Sequence, residues 1–243
     1  SDILVQIDVD PFAVTKKEEY KFRLDNVWLD FSDALNPEGI IYPDGYSHPM
    51  LGETTWQGVY FEELNVTLPQ DMARKDSGNI TLGLQHFVFD DYGASGQINA
   101  GNLLPLDQGS CSGWGFSIDT LAIHVLENRF HKGNMQGYLH VPLFKSVENE
   151  SDTIKPMDCF SYLAFLDSYG RFQFDLEVNS ALRAPAIYAD VTLYPNTSIS
   201  MFDRGSGFEV IATLNGTLDI QKDGDDPLAI EDIHFDQMIL SNK

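Results

Sequence analysis

The chain has 243 residues, 43% hydrophobic and 12% aromatic, enough for one large or two ordinary packed domains and unlike a disordered chain. Its 37 acidic residues outnumber 15 basic ones, and the formal net charge of −22 repels nucleic-acid phosphates and anionic membrane surfaces. No apolar run reaches the roughly 18 residues of a membrane span, and Ser1-Asp2-Ile3 does not open a signal peptide, so the chain reads as a mature product or a piece of a longer secreted or surface protein.

Residues 3–9, ILVQIDV, alternate as a strand, and residues 16–20 form a charged connector. A second strand over 22–31 carries Val27, Leu29 and Phe31 on one parity. Residues 32–55 contain Pro37, Gly39, Pro43, Gly45, Pro49 and Gly52, which exclude a regular element there. A loop of that length in a compact domain is usually functional or mobile. Together with Trp56 it gathers Tyr42, Asp44, Tyr46, His48 and Glu53. Aromatic faces beside carboxylates suit sugar recognition, because rings stack and polar groups fix hydroxyls. The competing reading is a loop held onto its own sheet by its aromatics.

Residues 56–68, WQGVYFEELNVTL, organise the chain. Val59 and Phe61 alternate, Glu62 and Glu63 follow in succession, and Leu64, Val66 and Leu68 resume on the other parity. That is a strand with one residue inserted, the signature of a β-bulge. The pattern recurs around Asp119-Thr120 and Glu231-Asp232, while Phe172 to Val178 is a copy without the shift. The spacing implies a repeated unit of roughly 56 residues. Two adjacent carboxylates are also the raw material of a glycoside hydrolase, which needs two carboxyl groups facing across roughly 5 to 9.5 Å. Their recurrence fits a structural edge better than one catalytic pair.

Further strands are expected over 80–89, 114–125, 135–141, 162–165, 172–178, 187–194, 198–202, 208–212 and 214–220, punctuated by glycine and proline. Gly137 and Gly216 fall inside matching strands, which marks bulges or close backbone approach. Residues 145–158 form a polar connector. Gly109-Ser-Cys111-Ser-Gly113 matches a nucleophile-elbow spacing, but β-like sequence follows where a helix is required, so it reads as a turn. Cys111 and Cys159 are candidates for one disulfide, worth roughly 4 kcal/mol by loop-closure entropy, or for two buried thiols. Asp223, Asp225 and Asp226 offer oxygen ligands for calcium, without EF-hand spacing, and no other cofactor is expected. Asn65, Asn79, Asn149, Asn196 and Asn215 each begin N-x-S/T, which threonine-rich strands also produce by chance.

No segment sustains a 3.6-residue period. The expected fold is all-β: an antiparallel multi-stranded β-sandwich, or a layered, elongated β-stack of bulged repeat units. Residues 1–243 form one continuous module, or two parts, 1–144 and 159–243, around the connector. The functional expectation is a non-enzymatic structural or protein-interaction module of a larger secreted or surface protein, with protein neighbours as partners. The alternative is a carbohydrate-binding β-sandwich with glycan partners or, further off, a glycoside hydrolase.

Overall fold

The computed structural model describes residues 3–15, 17–35, 37–46, 56–69, 78–149, 151–185, 189–203, 205, 207–220 and 230–242. The fold is all-β and antiparallel. In chain order the strands are β1 (Leu4–Val14), β2 (Lys17–Asp30), β3 (Gly58–Thr67), β4 (Thr81–Asp90) and β5 (Gly93–Cys111). There follow β6 (Trp114–Leu126), β7 (Arg129–His140), β8 (Lys145–Ser146), β9 (Phe160–Asp167) and β10 (Phe172–Val178). The last are β11 (Leu182–Pro185), β12 (Ala189–Leu193), β13 (Ser198–Asp203), β14 (Phe208–Ile220) and β15 (Ile230–Ser241). Pro156–Asp158 form one 3-10 turn. Hydrogen bonding joins the strands into one 15-stranded open sheet, ordered β1-β2-β3-β4-β5-β6-β7-β9-β10-β13-β14-β12-β11-β8, with β15 on β14.

The chain divides into two compact units. Unit one comprises Ser1–Leu103 and Thr120–Asn134; unit two comprises Leu104–Asp119 and Met135–Lys243. Strands β5, β6 and β7 contribute to both. The polar segment 145–158 lies within unit two, where the buried Asp158 carboxylate accepts from the backbone N–H of Ser146 and of Lys155, each at 2.9 Å, and from Asn149 Nδ2.

The insertion read in β3 is present in the structure, and three strands share it. Between β1 and β2, Ile7 pairs with Val27 and Val9 with Leu24, so Asp8 alone opposes Asp25 and Asn26. Between β4 and β5, Gln85 pairs with Gln97 and Val88 with Ser95, so His86 and Phe87 oppose Gly96 alone. Strands β2, β3 and β4 stay in unbroken register with one another. Each therefore carries the extra residue, and only the flanking strands register a shift. Asn26 and His86 absorb it with left-handed φ of 48° and 46°. Gly96, at φ 150°, has no room for a side chain, since a Cβ there falls 2.7 Å from Phe87 Cα.

Period-two alternation with one inserted residue keeps apolar positions on a single face. Phe22/Leu24 then Val27/Leu29, Val59/Phe61 then Leu64/Val66, and Leu82/Leu84 then Phe87/Phe89 all follow this rule. In β5, Ile98 and Ala100 keep one parity; in β1, Val5, Ile7 and Val9 share a parity until a separate bulge at Asp10 and Pro11 brings Phe12, paired with Phe22, to the same face.

A second acidic pair also sits at a bulge. Leu218 pairs with Ile233 and Ile220 with Ile230, so Glu231 and Asp232 oppose Asp219. Asp119 and Thr120 lie inside β6 at the division between the units. β10, the copy without a shift, pairs without interruption on both sides.

The core of unit two contains Phe160, Tyr162, Leu176, Val178, Leu182 and Leu193, with partly buried Met135, Leu139, Phe144 and Phe235 around it. The two strand glycines mark close backbone approach, as their positions implied. A Cβ on Gly137 falls 2.3 Å from the Ser117 carbonyl oxygen, and one on Gly216 falls 2.0 Å from that of Thr192.

Candidate functional site

The residues gathered by the sequence converge on unit one. Trp28, Tyr60 and Val88 project from three adjacent strands, and residues 37–46 with Trp56 cover them. Tyr46 and Trp56 are buried, 8% and 2% exposed. Tyr42 stacks on Tyr46 with ring centroids 5.2 Å apart and meets Trp56 edge-on at 6.0 Å. Asp90, at the end of β4, accepts from the Tyr46 hydroxyl and, at 3.3 Å, from Trp56 Nε1. The Ile41 N–H donates to the Tyr60 hydroxyl at 3.4 Å, and that hydroxyl lies 3.1 Å from His86 Nδ1. Exposed Asp44 ties the outer side of the segment to Lys132 at 3.2 Å.

Beside the cluster, a polar ladder follows the bulge. Gln6 Nε2 donates to Asn26 Oδ1 at 2.9 Å, and Asn26 Nδ2 donates to Glu62 Oε2 at 2.8 Å. Glu63 accepts from Asn65 Nδ2. The two glutamates are thus bound by amides of the sheet itself.

Burial governs the electrostatics. It pushes the Tyr42 hydroxyl up to about 12, with the Asp30 and Asp90 carboxylates adding to the shift. Burial and the bond to Asp90 raise Tyr46, and burial raises Tyr60. All three stay protonated at neutral pH. Asp30 is fully buried and its carboxyl is raised by desolvation, against one stabilising bond from the Ser32 N–H at 2.8 Å. Its Oδ2 carries no hydrogen bond, nor does Trp28 Nε1. Sequence reading missed Asp30, Trp28 and Tyr60. The available signal was the apolar run WLDF around Asp30, where a lone acid demands a reason.

The structure brings together Tyr42, Asp44, Tyr46 and Trp56 from the sequence-derived set. His48 and Glu53 lie outside the described residues. The ring faces of Tyr46 and Trp56 are occupied by intramolecular packing, the competing reading of this loop. The calcium candidates Asp223, Asp225 and Asp226 also lie outside the described residues, and the described ones contain no cluster of three or more metal-ligating side chains.

The Cys111–Cys159 bridge is not formed. Cys111 is an exposed thiol where β5 turns into β6; Cys159 is buried after the 3-10 turn, its Sγ 3.4 Å from the Lys155 carbonyl oxygen. Burial pushes the Cys159 thiol up to about 12. Among the sequons, Asn149 is buried, with Nδ2 donating to Asp158 and to the Thr153 carbonyl. Among the described residues, no helix is long and apolar enough to cross a membrane. Comparison with protein-family models, curated proteins and solved structures finds no match.

Proposed function

We propose that the chain is a non-enzymatic structural or protein-interaction β-module of a larger secreted or surface-exposed protein, and that unit one presents an apolar sheet face to a protein neighbour. The observation that carries this reading is the shared bulge. Three strands accommodate an extra residue, two of them with left-handed backbone, and the result, among the described residues, is a face without a charged side chain from Val5 to Ile98. Phe12 stacks on Phe22 at 5.3 Å, and Phe61, Phe87 and Phe89 form an aromatic group on the same face. Yet Val5, Phe12, Leu82 and Phe89 are each about two-fifths exposed. A contiguous apolar patch of this kind favours a covering partner, because leaving it in water forfeits roughly 25 cal/mol per Å². A second sheet laid face to face is the usual solution. The opposite face supports a non-catalytic role, since the Tyr46 hydroxyl and the Trp56 indole are engaged with Asp90 and the Tyr60 hydroxyl with His86.

The test is size-exclusion of an extract from the native source, followed with an antibody to this chain. The chain is expected in a species well above its own 27.3 kDa, with cross-links mapping to β1–β4, and the L82K/F89K double variant is expected to elute alone. A wild-type monomer, indifferent to that change and retained on a glycan array or active on glycosides, overturns the proposal.

A further inference from the structure

Among the described residues the open sheet has three margins, and they are not equivalent. β1 pairs there with β2 alone and carries Pro11, whose missing N–H blunts an edge. β8 is two residues long. β15 runs for 12 residues without proline and, among the described residues, pairs with β14 alone.

The register defines what β15 presents. Ile233, Phe235, Met238 and Leu240 pair with Leu218, Gly216, Leu214 and Ala212, so the four share one face. Phe235 packs on the core of unit two. Ile233, Met238 and Leu240 extend that row at 38%, 39% and 52% exposure. An added strand completes the row and pairs the outward backbone groups of residues 233–240. β15 itself carries Glu231, Asp232 and Asp236 and no lysine or arginine.

We propose that β15 is a strand-addition site for an extended cationic segment of a partner protein, apolar on one parity and lysine- or arginine-bearing on the other. Charge selects this occupant. A second copy of β15 brings like charges together across the new pair, which is destabilising. The bulge at Asp236 and Gln237, where Gln237 has φ 48°, divides the edge into 233–236 and 238–241. A partner has to bend at this point as β14 does, which protects the edge from indiscriminate pairing. The site belongs to unit two and does not depend on the apolar face of unit one.

The experiment uses the whole chain and a synthetic peptide of about ten residues alternating lysine and valine, with the glutamate–valine peptide as control. Hydrogen exchange read by mass spectrometry is expected to slow in 233–241 with the lysine peptide alone. Asp236 is exposed, so Asp236→Lys is expected to keep the fold and weaken binding roughly five-fold, as does raised salt. Equal protection by the glutamate peptide, no protection at millimolar peptide, protection confined to unit one, or dimerisation through β15 in sedimentation each overturns the proposal.

Discussion

Asp30 and Cys159 are two buried groups whose protonation the fold controls. Asp30 sits in the aromatic cluster with one oxygen unbonded and its carboxyl raised by burial. A raised carboxyl favours the neutral form in the folded state. The associated stability is present in full below the ordinary aspartate range and is lost as pH rises through the folded value. Asp30→Asn keeps an acceptor for the Ser32 N–H and removes the charge. It is expected to raise stability at neutral pH by roughly 1 kcal/mol and to leave it unchanged at a pH of about 3, measured by urea titration at both. A loss of stability at neutral pH would mean that a charge on Asp30 is compensated. The thiols are expected to separate kinetically: Cys111 reacts with an aromatic disulfide reagent at once, and Cys159 only on unfolding. Absence of any free thiol in the denatured, non-reduced chain would restore the bridge.

At the scale of elements, the shared bulge is the most specific device in the molecule. Asn26 tolerates the left-handed region where a β-branched residue does not, and its amide also holds Glu62. Asn26→Val is expected to cost about 1 to 2 kcal/mol beyond the loss in Asn26→Gly, which removes the same hydrogen bonds without the backbone strain. Equal losses would place the effect in the ladder alone. The flanking side chains are less buried than the alternation implied. Leu64 is half-buried, so Leu64→Ala should fall near or below the lower end of the roughly 2 to 5 kcal/mol of full core truncations. Ile233 is exposed at 38%, and its truncation should cost less still. Both follow from thermal or chemical denaturation of single variants.

At the scale of the whole molecule, the acidic surplus and the open sheet act together. Exposed apolar side chains occur in both units, as at Phe12 and Leu82 in one and Ile239 and Leu240 in the other. An open sheet with such faces is prone to indiscriminate association. A net charge of −22 opposes association between copies, while Pro11 and the β15 bulges oppose edge pairing. What remains favoured is a neighbour matched in shape and charge. That leads to the two surfaces proposed above, one apolar and one acidic.

The sequence by itself determined the all-β class, because period-two alternation is a local property of the chain. It also determined the inserted residue in β3 and the bulge at Glu231-Asp232, since a change of parity is visible without any partner strand. The same change stands in β2 between Leu24 and Val27 and in β4 between Leu84 and Phe87, readable by the same rule once strand limits are known. Only the tertiary structure decided that these three insertions align, because register is set by pairing between strands. Only the structure placed Tyr46 and Trp56 under cover and brought Asp90 to both, since an aromatic beside a carboxylate looks alike whether it awaits a ligand or closes on its own sheet. The fate of Cys111 and Cys159 was also illegible: spacing along the chain says nothing about which of two thiols is buried.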